Sequence, residues 1–511
     1  MPVVDQSVHR GVGVKLNGTS VHSSDWKSRT IRQRCQSIGK VAAAIAKRAD
    51  SLTALSGTDQ RVDPVETITA ELLPTCSALR FIGRHGCRVL RTRSYTALGR
   101  PTWLWGVRSR VRRNPRGKVL VLGTWNYPVF LPGVQAAQAL AAGNTVLLKP
   151  AVGCEQVTKC LVEAFYEAGV PESALRVLSS DASAAIEAID AGVDLVVLTG
   201  ASETGRKVLR RTAETLTPTI MELSGCDAVV VLPEADIARV ADCIVFGLRF
   251  NSGATCIAPR RVIAEQREAD SLKAALAESL GKTDVVSVHP AARLAVVKCI
   301  SRALSDGAVD VLDNFDEQQL LASGDMRPMV LDRVKPNDEI AGADLFAPVT
   351  SILRVPTISE AIGIVNQCPY RLAVSIFGAG KRAESVAVQL DVGTVCVNDL
   401  IVPTADPRLP FGGRGESGFG VTRGEDGLLA MSVPVTISRR HGKFAPHLQP
   451  RQATDAQTLL GALQLLHAGT LPERLKGLRK MIGAAKNRKP VGEDQQTQGN
   501  VAPSQEKEKN S

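Results

Sequence analysis

Cys256 is the residue whose surroundings most invite chemistry. It closes the run Asn251-Ser252-Gly253-Ala254-Thr255-Cys256, a loop of small residues after a helix-like stretch that leaves its sulfur approachable. A thiolate there is a nucleophile, although a cysteine is more often a small buried hydrophobe than a reagent. Glu222, in Met221-Glu222-Leu223-Ser224-Gly225, is a carboxylate at the end of a strand. It can act as a base if enclosed and is merely solvated if not. The separation of 34 residues between the two leaves room for a strand and a helix that would bring them to opposite sides of one pocket. Asn126, in Gly123-Thr124-Trp125-Asn126-Tyr127-Pro128, follows an apolar strand, where ligands collect in open α/β sheets. Its amide either donates a hydrogen bond to a ligand or caps the next helix.

The elements that must hold these side chains alternate. The strand VLVLGT (119–124), a helix-like run 129–142, the turn Gly143-Asn144 and the strand TVLLK (145–149) are followed by two more rounds. A helix at 155–168 leads to ALRVL (174–178), and a helix at 182–190 leads to DLVVLTG (194–200). Continuous apolar strands alternating with helices predict a doubly wound parallel sheet buried on both faces. A second series runs through AVVVL (228–232), a helix 237–250, RRVIA (260–264), VTSILRV (349–355), AVSIF (373–377) and GTVCV (393–397), predicting a second α/β domain. Apolar positions Ile31, Ile38, Val41 and Ile45 at helical spacing predict an amphipathic helix within 26–56. The basic, partly alternating stretch from Arg108 to Lys118 reads as an exposed strand, taken here as a solvated edge or a subunit contact rather than a nucleic-acid surface.

Length and composition bound the function. The chain of 511 residues is too long for one compact core, and 44% hydrophobic with 22% charged residues is ordinary for a globular α/β protein. Only 4% aromatic residues argues against a stacking surface for single-stranded nucleic acid, so no nucleic-acid partner is expected despite a formal charge of +11. The 11 cysteines are odd in number and scattered without a CxxC pair, which predicts neither a disulfide framework nor a metal site. The first twenty residues lack a signal-peptide core and no run of eighteen apolar residues occurs, so the expected location is the cytoplasm.

Taken together, the motifs resemble the aldehyde dehydrogenase superfamily over about residues 25–435. Besides the three segments above, the resemblance rests on Leu148-Lys149-Pro150, on Leu198-Thr199-Gly200-Ala201-Ser202-Glu203-Thr204-Gly205, on Leu345-Phe346-Ala347-Pro348-Val349, and on Pro410-Phe411-Gly412-Gly413 followed by Ser417-Gly418-Phe419-Gly420. The GTWNYP form is most similar to the branch with fatty and aromatic aldehyde dehydrogenases. The resemblance implies a Rossmann-type cofactor domain (1–221), a catalytic α/β domain (222–405) and a return and oligomerisation segment (406–440); beyond it, composition predicts a basic helical tail with a disordered end (441–511). It implies NAD- or NADP-dependent oxidation of an aldehyde to a carboxylic acid, with Cys256 forming a thiohemiacetal and then a thioester. Asn126 and the Cys256 backbone N–H would serve as the oxyanion hole and Glu222 as the base that deacylates. One oxyanion donor is worth about 3 kcal/mol in such sites.

For the cofactor, the resemblance assigns Thr124, Trp125, Lys149, Thr199, Gly200, Ala201, Gly205, Leu223, Asp344 and Phe346. Lys149 would reach the adenine ribose, and Gly200 to Gly205 would form the turn whose helix amides face the pyrophosphate. Four positions depart from the family: Asp344 stands for a Glu, Val152 for the ribose-binding Glu, Ser224 for a Gly and Ala254 for a frequent Gln. The choice between NAD and NADP stays open, and Ser224 is expected to bear on the placement of Glu222. Two alternatives stand beside this reading: a CoA-acylating aldehyde dehydrogenase, against which Glu222 argues, and a silent scaffold of the same fold, against which the trio argues. The family implies a homodimer or homotetramer. The tail, ERLKGLRKMIGAAKNRK at 473–489, holds seven Lys or Arg with apolar residues at helical spacing. It is read as a helix packed on protein, with weak contact to a membrane surface as the alternative that would favour a lipophilic aldehyde.

Overall fold

The computed structural model describes residues 24–487, so the first residues and the polar end 489–511 lie outside the described residues. The chain divides into two compact units. The larger spans 110–437 with the chain before Tyr95, and the smaller spans Tyr95–Ser109 with the chain from Ser438 onward. Both predicted α/β series fall in the larger unit.

The first series folds as a six-stranded sheet in the order Gly418–Phe419, Thr219–Leu223, Leu195–Gly200, Lys118–Leu122, Thr145–Lys149, Leu175–Val177. All neighbours are parallel except the short return strand Gly418–Phe419, which runs against Thr219–Leu223. The strand order reverses between Lys118–Leu122 and Leu195–Gly200, and a crevice opens there beyond the carboxyl ends. The expected boundary after residue 221 falls inside Thr219–Leu223, because the apolar run continues through Glu222 and pairs with Thr199 and Gly418 on either side. Glu222 thus belongs to the first sheet, which the 406–440 segment completes.

The second series gives a seven-stranded sheet in the order Val309–Asp310, Met329–Asp332, Val349–Arg354, Pro259–Ala264, Asp227–Val231, Ala373–Phe377, Thr394–Val397. Its three strands Pro259–Ala264, Asp227–Val231 and Ala373–Phe377 are buried at every residue, as mostly apolar strands covered on both faces are, and the buried Arg260 and Arg261 donate to backbone carbonyls.

Two readings change. The segment 26–56 is three helices, Ser24–Ser28, Ile31–Lys47 and Ala49–Ser56, because Thr30 and Gln33 form a capping box that starts a new helix. The basic strand, Val107–Pro115, is the middle strand of a three-stranded sheet between Arg93–Tyr95 and Ser432–Arg440, so it is no edge. Arg108, Arg110 and Arg112 alternate onto its exposed face.

Candidate active site

A cavity of about 790 Å³ occupies the crevice of the first sheet. Cys256 alone among the cysteines lines it, together with Glu222 and Asn126. Three segments converge to make this wall, and each is fixed by contacts the sequence does not announce.

The loop before Cys256, the candidate catalytic loop, carries three successive residues in the left-handed region, Asn251, Ser252 and Gly253, at φ 51°, 52° and 71°. Non-glycine residues rarely adopt this conformation unless their surroundings over-determine it. Here the Asn251 N–H donates to Glu66 Oε2 at 3.1 Å, Ser252 Oγ donates to the Gln60 carbonyl at 2.8 Å, and Arg260 donates to the carbonyls of Gly253 and Ala347 at 2.6 and 2.7 Å. Thr255 Oγ1 and Tyr127 OH share a bond of 2.6 Å. Opposite, a Cβ on Gly225 would lie 2.6 Å from the Cys256 carbonyl oxygen, so glycine there lets the Glu222 segment lie against the catalytic loop.

Asn126 is buried, its Oδ1 accepting from Thr124 Oγ1 at 2.6 Å and its Nδ2 donating to the Ala254 carbonyl at 2.9 Å. An amide nitrogen has two hydrogens, so one remains for an oxyanion beside Cys256. The Asn126 carbonyl accepts from Arg61 and from Asn251 Nδ2. Arg61 is paired in turn with the fully buried Glu71, whose other oxygen accepts from the N–H groups of Val129 and Phe130 at 2.6 and 3.0 Å. That carboxylate therefore caps the helix Phe130–Ala142, in which every residue is buried.

Glu222 is 3% exposed. One oxygen accepts from Thr422 Oγ1 at 2.9 Å and from Gln135 Nε2 at 3.4 Å, while Oε1 has no partner. Burial pushes its pKa up, with the Arg423 guanidinium and these two hydrogen bonds pulling it back. Burial likewise raises the half-buried Cys256 thiol, the Glu222 and Asp227 carboxylates add to the rise, and Arg423 opposes it. Arg423 was not anticipated. It is 5% exposed, sits at φ 61°, stacks 4.0 Å from the Phe411 ring centroid and leaves Nε without a partner. An arginine inside the small and apolar return segment was the available signal.

The remaining cavity wall suits a dinucleotide. Thr124, Trp125, Lys149, Thr199, Gly200, Ala201, Leu223, Asp344 and Phe346 all line it. The helix Ser202–Ala213 starts there without a side-chain cap, leaving first-turn amides for a phosphate. Asp344 Oδ1 is buried without a partner, as a carboxylate awaiting hydroxyl donors would be. Its pKa is raised by burial, against which the Ser224 hydroxyl acts. Ser224 thus bears on Asp344, while the partners of Glu222 are Thr422 and Gln135. Gly205 is the exception: it does not line the cavity, and a Cβ on it would meet Leu223 Cδ1 at 2.9 Å, so its smallness serves helix-on-strand packing. His289, also unanticipated, stacks on Trp125 with ring centroids 4.2 Å apart. Among the described residues no group of His, Cys, Asp and Glu could hold a metal.

A second cavity, also about 790 Å³, is lined by Phe246, Phe250 and Ser252 on the approach to the catalytic loop. Asp59, Asp63, Glu66, Asp242 and Asp325 line it against the single cation Arg249, so its walls are acidic on balance.

A sequence profile described as the aldehyde dehydrogenase family matches residues 17–437. The chain belongs to the aldehyde dehydrogenase family. It is 29% identical over 455 residues to the 4,4'-diapolycopene aldehyde oxidase of a Methylomonas species, covering 86% of this chain and 84% of that protein. Two solved structures share its fold. One is an aldehyde dehydrogenase of Mycobacterium tuberculosis complexed with NAD+, at TM-score 0.74 and 27% identity over 81% of this chain and 86% of that one. The other is the NADP-dependent glyceraldehyde-3-phosphate dehydrogenase of Bacillus halodurans C-125 complexed with NADP, at TM-score 0.74 and 29% identity over 81% and 88%. This aldehyde dehydrogenase is an NAD(P)-dependent oxidoreductase, converting aldehydes to carboxylic acids.

Proposed function

We propose that Cys256 is the nucleophile, Asn126 the oxyanion donor and Glu222 the deacylating base of this dehydrogenase. The observation that carries the assignment is the convergence of these three groups on one cavity wall, with Cys256 the only cysteine there. The thiolate adds to the aldehyde carbon, and the new oxyanion lies against the Cys256 N–H and the second Asn126 amide hydrogen. The nicotinamide supplies the hydride acceptor, and Lys149, the Ser202–Ala213 amides, Asp344 and Phe346 would hold its dinucleotide. Loss of hydride leaves a thioester on Sγ. Glu222 then takes a proton from water, the hydroxide expels the thiolate, and the acid leaves. Arg423 is a positioning cation that holds both Glu222 and Cys256 nearer their ionised forms.

The substrate we favour is a lipophilic aldehyde. Tyr127, Phe130, Leu131 and Val134 form a buried apolar cluster with Phe250 packed on it, beside the catalytic loop, and the relative named above is called an oxidase of a polyene aldehyde. The acidic walls of the second cavity favour a second reading, an aldehyde bearing a cationic group. A homodimer or homotetramer is the assembly we expect from the family.

The test is oxidation of a panel of aliphatic, polyene and amino aldehydes with either nucleotide, following reduced nicotinamide and the acid formed. Turnover without CoA is expected. Cys256→Ala should abolish it while nucleotide still binds, and Glu222→Gln should release one equivalent of reduced nicotinamide rapidly and then stall at the thioester. A Cys256→Ala protein that turns over normally overturns the assignment.

A further inference from the structure

The smaller unit carries two helices, Asp455–His467 and Leu471–Lys486. The second is well specified locally, with Thr470 and Glu473 forming a capping box and Pro472 in its first turn. The two helices meet at glycines: a Cβ on Gly461 would lie 2.7 Å from the Gly477 carbonyl oxygen, and one on Gly477 would lie 2.6 Å from that of Gly461. So close an approach of backbones leaves little room for large side chains between them. The leucines therefore stand elsewhere. Leu471, Leu475, Leu478 and Ile482 recur at alternating intervals of four and three residues, a single stripe of the helix, and are 70%, 47%, 38% and 49% exposed. Leu459, Leu463 and Leu466 make a similar stripe on the first helix and are 69%, 57% and 45% exposed. Contiguous exposed apolar stripes mark interaction surfaces.

Charge identifies the partner. The two helices carry five Lys or Arg, Arg474, Lys476, Arg479, Lys480 and Lys486, against the two acids Asp455 and Glu473, and Glu473 is engaged by Thr470. Arg479 and Lys486 follow Leu475 and Ile482 by one helical turn, so cations border the apolar stripe. Among the described residues no helix is long and apolar enough to cross a membrane. We propose that this hairpin docks on the surface of a bilayer containing anionic phospholipid, its leucine stripes at the boundary of headgroups and acyl chains and its cations on lipid phosphates. A bilayer of this kind offers negative charge above apolar surface, the complement of what the hairpin presents. A second copy of the hairpin, paired about a two-fold axis, would instead set like charges against like.

The experiment is flotation of the full-length protein with vesicles of phosphatidylcholine alone or mixed with phosphatidylglycerol. Binding is expected to the mixed vesicles and to fade as salt is raised. Lys476→Gln, Arg479→Gln and Lys480→Gln together should weaken it by about a hundredfold. Leu475→Gln with Leu478→Gln should weaken it by a similar factor of about a hundredfold, with the helix content seen by circular dichroism and the oxidation of a small water-soluble aldehyde unchanged. Absence of binding to mixed vesicles, or binding indifferent to both variants, overturns the proposal. So does a fall in the protein's mass in solution on the leucine substitutions, which would show the stripe covered by a second copy. No arm of the flotation requires turnover, so its failure is separable from a failure of the assigned chemistry.

Discussion

At the scale of single residues, the two groups proposed to react share a predicament. In those roles Cys256 and Glu222 must both be deprotonated, and burial raises the pKa of both. Activity should thus be lost as pH falls, and the acidic limb of the rate profile should lie above the ordinary carboxylate range. Arg423 is the nearby cation that opposes this rise at both groups. Arg423→Met keeps most of the apolar bulk against Phe411 and Phe130 and removes the charge. The acidic limb of kcat should then move to higher pH, with kcat at pH 7 lower by about tenfold and recovering as pH is raised. A variant equally slow at every pH would assign Arg423 a packing role alone.

Among the elements, the decisive one is the brace under Asn126. Arg61 and Glu71 are 3% and 0% exposed, and between them they hold the Asn126 carbonyl and the start of the helix Phe130–Ala142. Breaking a buried pair by removing one charge strands the other, so Glu71→Gln should cost about 3 to 5 kcal/mol in a denaturant melt. Its kcat should fall as well, since the oxyanion donor loses its mooring. None of this is readable in sequence, because Arg61 comes from the connection between the helices Ala49–Ser56 and Pro64–Thr67 and Glu71 from the helical turn Ile68–Leu72, with no motif around either. The strands were readable for a plain reason: Thr145–Lys149 and Ala373–Phe377 are near-continuous apolar runs bounded by turns, and their limits coincide with TVLLK and AVSIF. The basic strand Val107–Pro115 misled because alternating arginines state that one face is wet and say nothing about whether the edges are paired. Gly205 misled in a similar way: a glycine at a helix start serves packing against Leu223 as readily as a phosphate. The motifs singled out Cys256, Glu222 and Asn126, which line one cavity, whereas Arg423 and His289 stand outside any quoted motif.

At the scale of the molecule, the placement of charge along the nucleotide cavity bears on cofactor choice. Among the described residues its carboxylates are Glu222 and Asp344, while Lys149, Lys207 and Arg211 line other parts of it. Val152, three residues after Lys149, is uncharged and 76% exposed. NADP should accordingly be accepted at least as well as NAD. Lys207→Glu should raise the KM for NADP by about tenfold while leaving that for NAD within a few-fold, read from initial rates with one aldehyde. Equal changes for both nucleotides would count against a phosphate contact at this position.

The helix Phe130–Ala142 has no wet face at all. A helix of that kind has no surface on which to absorb variation, since every position is pressed on a neighbour and any added volume is passed on to the sheet or to the Asn126 turn. It also carries Phe130, Leu131 and Val134 of the apolar cluster near the reacting thiol. Descendants of this enzyme that acquire new substrates should therefore do so through the loops around Phe250 and Gln60, with the helix inherited almost letter for letter.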